Sequence, residues 1–225
     1  MLSQVAPEGD ILFFRPHELL ARENEPPPGL YQLLEGWACR YRLLPDGRRQ
    51  ITALYLPGDY CEAHWALGHG PRQPIVALTN VRAYRTPCRV PSGVPGDVLQ
   101  GFWRNLVDGS ERQADWLVTL GRRSAPERLA HLMIELYERM RRAGLAYGQQ
   151  CALPLTQIDI ADLTGLTPVH VNRTLQAMRA AGLIELQSKW LRIPDLATLR
   201  GAAAMAPQAA DHRCDSGDAD KADTV

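Results

Sequence analysis

The sequence predicts an α+β protein with a β-rich first half and a helical second half. Three observations carry that prediction. From about Leu12 to Val90, short apolar or alternating runs are separated by turn residues. From Asp97 onward, apolar residues recur at three- to four-residue steps. Between Thr156 and Ala180, two short helical segments meet at a glycine. A period near two reads as strand and a period near 3.6 as helix, so the change of period marks a change of architecture.

In the first half, Gly29–Leu34, Trp37–Leu44, Gln50–Leu56 and Ile75–Tyr84 are the predicted strands. Glu35-Gly36, Pro45-Asp46-Gly47, Pro57-Gly58-Asp59 and the Gly68–Pro74 stretch stand between them. Proline presets φ and glycine accepts positive φ, which a tight hairpin needs at Pro45-Asp46-Gly47. Strand-like runs at this spacing predict a small sandwich or barrel. In the second half, Phe102, Leu106, Gln113, Leu117 and Leu120 form one long stripe. Pro126 suits the first turn of another helix behind Ser124-Ala125. Leu129, Leu132, Met133, Leu136 and Met140 give that helix an apolar face, and Gly144 and Gly148 end it. Residues 201–225 are rich in Ala and Asp with few large apolar side chains, and are expected to be a disordered tail.

The chain has 225 residues, enough for two domains of ordinary size. Its 25 basic and 25 acidic residues give a formal net charge of zero, which excludes a polybasic protein but not a local basic face. Five scattered cysteines (Cys39, Cys61, Cys88, Cys151 and Cys214) include no CxxC pair and suggest reduced thiols. Glu8 and Asp10 interrupt any apolar leader, and no run approaches the ~20 apolar residues of a membrane span. A cytoplasmic protein without membrane contact is expected.

The strongest local pattern runs from Thr156 to Leu175. Thr156 caps a first helix, with Asp159 in its first turn where the helix dipole favours negative charge. Ala161 is small where two helices must cross, and four residues later Gly165 supplies a tight turn. Thr167 is an N-cap and Pro168 the first residue of a second helix. Val171 and Leu175 then face inward, leaving His170, Asn172 and Arg173 outward. After Ala180-Ala181-Gly182, Leu183–Ile193 reads as a two-stranded hairpin with Ser188-Lys189 near its tip. A helical hairpin that merely packs would need no such addition. Helix, turn, helix and wing together form a DNA-binding arrangement.

With these residues the chain resembles the Crp/Fnr family of bacterial transcriptional regulators over residues 10 to 200. Leu155–Ile193 carries the C-terminal match. Leu33-Leu34-Glu35-Gly36-Trp37, Leu44–Ile51 and Leu56-Pro57-Gly58-Asp59 are similar to the turn punctuation of a cyclic-nucleotide-binding-type β-roll. The resemblance implies four parts: a β-roll sensor domain (residues 1–97), a dimerisation helix (98–125), a winged helix-turn-helix (126–200) and the tail. It also implies a homodimer along the long helix; taken by itself, the 102–120 stripe fits intramolecular core equally well. Double-stranded DNA is the implied partner, RNA polymerase a possible second one, and no cofactor is implied.

Arg173 matches the arginine with which the family reads guanine through paired donors to O6 and N7. His170 and Asn172 are further base-reading candidates, although His170 also fits a phosphate or solvent contact. Thr156, Gln157, Thr167, Lys189 and Arg192 are candidate phosphate contacts. Val169 departs from the glutamate common in the family. It has no acceptor for a cytosine amino group but can pack on a thymine methyl. The resemblance therefore implies a roughly palindromic site but does not carry over the letters of the family's familiar half-sites.

The sensor domain is less legible. Gly58, Asp59 and Arg72 are the effector-pocket candidates. However, the Arg-Ser or Arg-Thr pair that cradles a cyclic phosphate is missing from Gly70–Ala77, so cyclic-nucleotide control is the lesser expectation. No cysteine precedes Cys39, which removes the N-terminal cysteine cluster of iron–sulfur members. Trp37, Tyr41, Tyr55, Tyr60 and Trp65 suit a ligand pocket or simply core. Redox chemistry at Cys39, Cys61 or Cys88 stays open. A rival reading is a metal-dependent enzyme built on Cys61, Glu62, His64 and His69. No HExxH, nucleophile elbow or P-loop supports it, and it leaves the helix-turn-helix unexplained.

Overall fold

The computed structural model describes residues 9–26, 29–62, 65, 70–87 and 96–205. Its first half contains β1 (Asp10–Phe14), β2 (Leu19–Ala21), β3 (Leu30–Glu35), β4 (Ala38–Leu43), β5 (Arg49–Tyr55), β6 (Tyr60–Cys61), β7 (Ile75–Ala77) and β8 (Val81–Thr86). They form two four-stranded antiparallel sheets, ordered β1-β8-β3-β6 and β2-β7-β4-β5. Leu20, Leu33, Ala38, Ile75 and Ala83 from both sheets close one core with Trp65 from the segment after β6.

The single strand expected over Ile75–Tyr84 is two strands in different sheets. β7 pairs with β2 and β4, whereas β8 pairs with β1 and β3. The chain changes sheet at Leu78–Asn80, where it is tied to the Gly36 turn. Leu78 N donates to Trp37 O at 2.8 Å, and Thr79 Oγ1 accepts from Trp37 N at 2.9 Å. Gly36 has φ +82°, and a Cβ there would lie 2.0 Å from the carbonyl oxygen of Asn80. Only glycine fits that crossing. Apolar residues continue on both sides of the switch, so alternation alone does not reveal it.

The second half contains α1 (Gly96–Arg122), α2 (Ala125–Arg142), β9 (Ala146–Tyr147), β10 (Gln150–Ala152), α3 (Gln157–Thr164), α4 (Pro168–Ala180), β11 (Glu185–Gln187), β12 (Trp190–Arg192) and α5 (Leu196–Ala202). Ser124 caps α2 through a capping box with Glu127, and Pro126 lies in the first turn. Leu129, Leu132, Met133 and Leu136 of α2 are completely buried. Such side chains contribute about 1.5–3 kcal/mol each. Their core runs from Cys39, Ile51 and Leu54 of the β-domain to Ile160, Val171, Leu191 and Leu199, so α2 joins both halves.

The wing hairpin occurs where expected, with Ser188 (φ 49°) and Lys189 (φ 64°) making the two-residue turn. β9 and β10 extend it to a four-stranded sheet, β11-β12-β10-β9. The glycines Gly144 and Gly148 end a helix and turn this short hairpin, a second use that their helix-stopping role conceals. The first residues of the expected tail belong to the fold. Gly201 and Ala202 end α5, Ala203 is buried, and its carbonyl accepts from Arg123 Nε at 3.1 Å. The remainder of that expected tail, from residue 206, lies outside the described residues.

The 102–120 stripe divides between two faces of α1. Phe102 is buried with its ring 5.7 Å from that of Tyr60, and Leu106 packs on the same β-domain core. Leu117 points the other way and is 75% exposed. A separate row, Trp103, Val107, Ser110, Ala114, Leu117 and Gly121, is exposed along the helix at alternating steps of four and three.

Candidate nucleic-acid interface

The first helix of the helix-turn-helix is set by its cap. Thr156 Oγ1 accepts from Asp159 N at 3.1 Å and donates to Asp159 Oδ2 at 2.6 Å. The same carboxylate oxygen accepts from Thr156 N at 3.0 Å. The Thr156 hydroxyl proton is thus committed within the protein. Ile160 and Ala161 are buried, and Gly165 ends α3 in the left-handed region at φ 66°. Thr167 Oγ1 then accepts from His170 N at 3.2 Å to start α4, with Pro168 in its first turn. Unlike Thr156, Thr167 keeps its hydroxyl proton for another acceptor.

Val171, Thr174, Leu175 and Met178 bury one side of α4. The opposite side presents Val169, His170, Arg173 and Gln176 to solvent, and Val169 is 71% exposed. Asn172 is half-buried, and its Nδ2 donates to Gln157 Oε1 at 3.0 Å across the two helices. Gln157, Pro168, Val169, Asn172, Arg173 and Gln176 line a shallow concavity of about 420 Å³. Of these, Gln176 was missed in the sequence. Its spacing from Val169 (seven residues) and Arg173 (three) puts it on their face and was the available signal. In the wing, Lys189 is exposed at the turn, while Arg192 Nη1 is paired with Glu185 Oε1 at 2.7 Å.

The acidic side of α3 is paired with one arginine of the β-domain. Arg49 Nη2 meets Asp159 Oδ1 at 2.7 Å, and its Nε meets Asp162 Oδ2 at 2.6 Å. Beside it, Gln50 Nε2 donates to Leu163 O at 3.2 Å. On α2, Arg128 Nη1 donates to Thr164 O at 3.0 Å. Both ends of α3 are therefore held by charged or amide donors from neighbouring elements, which fixes its angle to the β-domain.

The effector-pocket candidates differ in their surroundings. Asp59 faces α2, where it is paired with Arg139, and its Oδ2 also accepts from Leu56 N at 2.8 Å. Gly58 and Arg72 are exposed. A cavity of about 510 Å³ lies instead between β5, α1 and α2. Leu54, Leu106, Trp116 and Leu132 supply apolar wall, and Arg112 and Arg139 supply charge. Burial, with Arg139 nearby, makes the Arg112 guanidinium less basic than usual. Tyr55 and Tyr60 line this cavity, whereas Trp37 and Trp65 are core.

Burial pushes the Cys39 thiol up to about 12 and the Cys151 thiol to about 11, and raises that of Cys61 well above its ordinary value. These three sulfurs are held as buried thiols rather than reactive thiolates. Glu62, of the rival metal site, is paired with Arg40 and accepts from the Tyr55 hydroxyl. Among the described residues no three His, Cys, Asp or Glu side chains are grouped to hold a metal ion. His64, His69, Cys88 and Cys214 lie outside the described residues. Among the described residues, no helix is long and apolar enough to cross a membrane.

An antiparallel β-domain, a long helix and a winged helix-turn-helix with an exposed recognition face define a DNA-binding transcriptional regulator. The chain belongs to the Crp/Fnr family. Residues 11–89 match the family model of the cyclic nucleotide-binding domain, and residues 127–202 that of the Crp-like helix-turn-helix domain. It is similar to the transcriptional activatory protein AadR of Rhodopseudomonas palustris, at 32% identity covering 81% of this chain and 76% of that protein. It is also similar to the nitrogen fixation regulation protein FixK of Bradyrhizobium diazoefficiens, at 30% identity covering 87% and 83%. The structure of FixK2 from Bradyrhizobium japonicum superposes with a TM-score of 0.73 at 28% identity, covering 90% of this chain and all of that one.

Proposed function

We propose that the protein acts as a homodimer that binds a two-fold-symmetric DNA site and reads it with the N-terminal half of α4. The observation that carries this reading is the exposed row Val169, His170 and Arg173 on a helix whose other side is sealed into the core. Arg173 reads a guanine by paired donors, Val169 packs on a thymine methyl, and His170 and Asn172 reach neighbouring base edges. Gln157, Thr167, Lys189 and Arg192 contact phosphates, while Thr156 holds α3 in place through its cap.

Dimerisation uses the exposed row of α1 from Trp103 to Gly121. Its alternating spacing of four and three gives the period of two helices packed side by side, and its small residues allow close approach. A signal at the β-domain reaches α3 through Arg49 and Gln50, and reaches α2 through the Asp59–Arg139 pair. The cavity beside Arg112 is the space offered to an effector, rather than the turn around Arg72. Cyclic-nucleotide control is the lesser reading. It gains from the match of residues 11–89 but lacks the paired arginine and hydroxyl residue. This reading includes a cytoplasmic location and, for an activator, contact with RNA polymerase.

The test is selection from random duplexes with the wild type and Arg173→Ala. A symmetric site should be enriched, and the variant should lose discrimination at one guanine per half-site, by about 1–3 kcal/mol. Equal enrichment of the same letters by both proteins would remove Arg173 as the reader.

A further inference from the structure

We propose that Gln157 and Asn172 form one reading unit for adenine, in which Asn172 contacts the base and Gln157 positions it. This rests on the DNA-reading role of α4 and names the base that one of its positions prefers.

An asparagine on a recognition helix ordinarily has a freely turning amide. Asn172 does not, because its Nδ2 donates to Gln157 Oε1 at 3.0 Å. Gln157 is the first residue of α3, directly behind the Thr156 cap, and α3 is held from behind by Arg49 and Arg128. The anchor is therefore on a fixed element. With one N–H engaged, Asn172 retains one N–H donor and the Oδ1 acceptor. A donor and an acceptor side by side match adenine in the major groove, where N7 accepts and the N6 amino group donates. Guanine offers two acceptors at that edge, cytosine only a donor and thymine an acceptor beside its methyl, so none of the three satisfies both groups.

Two neighbours reinforce the assignment. Asn172 lines the concavity together with Val169 and Arg173, so it approaches the same stretch of groove. Gln157 keeps both hydrogens of its Nε2, since its oxygen is the group that receives Asn172. Those hydrogens suit a phosphate oxygen, a contact that leaves the Asn172–Gln157 bond in place. Holding an amide in one rotamer before binding lowers the entropy lost at the interface.

The experiment is the random-duplex selection with four full-length proteins: wild type, Asn172→Ala, Asn172→Asp and Gln157→Ala. Wild type should enrich an adenine near the Arg173-dependent guanine, favoured on the order of ten- to a hundredfold over other bases. Asn172→Ala should lose that preference and keep the guanine. Asn172→Asp, which only accepts, should exchange adenine for cytosine. Gln157→Ala should weaken the adenine preference with Asn172 still present, a change that loss of a phosphate contact alone would not produce. A wild-type site with the guanine but no adenine that responds to Asn172 would overturn the proposal and leave the DNA-reading role standing. Uniformly weaker binding by Gln157→Ala, with unchanged letters, would overturn the positioning role. Failure of wild type to enrich any symmetric site would remove the role on which both depend.

Discussion

Replacing Arg49 by alanine tests how firmly the β-domain is fastened to α3. Arg49 sits at the start of β5 and meets two carboxylates of α3, those of Asp159 and Asp162. Its side chain is 25% exposed, and theirs are 13% and 19% exposed, so water screens the contact only in part. A hydrogen bond to a charged group contributes about 1.5–3 kcal/mol, and partial solvation lowers that figure. The pair of contacts should therefore contribute about 2–4 kcal/mol to the docking of α3 on β5, or about 30- to 1,000-fold in that equilibrium. The loss should be local, because α3 keeps its Thr156–Asp159 cap and its packing on α4. The assay is hydrogen exchange of the full-length protein. Amides around Gln50 and along α3 should exchange faster in Arg49→Ala, while those of α2 around Leu132 stay protected. Arg49→Lys should recover only part of the protection, since one ammonium group lacks the fork that spans two carboxylates. Unchanged protection in Arg49→Ala, or full recovery by lysine, would refute the clamp.

Two further outcomes are expected. Leu117→Glu introduces charge at a position 75% exposed in the protomer, so it should leave the fold intact. Sedimentation should nevertheless fall from that of two 25.0 kDa chains to that of one; an unchanged mass would place the dimer contact elsewhere. His131 is buried with its ring 5.6 Å from that of Trp116, and burial, with Arg123 adding to it, holds the imidazole below its ordinary range. Because the folded state binds the proton less readily than the unfolded chain, its contribution is present above the ordinary histidine value and is lost as pH falls through the depressed one. Thermal melts of wild type should lose stability on acidification through that window, and His131→Gln should lessen the dependence.

Much of the interface was legible in order along the chain. Thr156, Gly165, Thr167 and Pro168 act through caps and backbone angles that depend on residues within one turn, so local sequence determines them. The same holds for Val171 and Leu175, whose spacing of four places them on one side of α4. Ser188-Lys189 was readable as a turn because it separates two short strands that pair with each other. Other features depend on which surfaces meet. Phe102 and Leu117 share one helical period, yet one lies against Tyr60 and the other in solvent. The division of Ile75–Tyr84 between two sheets follows from the Gly36 crossing, which joins residues more than 40 positions apart. Arg49 and Asp162 are 113 positions apart, and Gln157 and Asn172 belong to different helices. Sequence by itself determined the helix-turn-helix, because its signals are local and periodic. Tertiary structure decided the clamp on α3, the faces of α1 and the pairing of the Gln157 and Asn172 amides, because each requires side chains that only the packed fold brings within hydrogen-bonding or van der Waals reach.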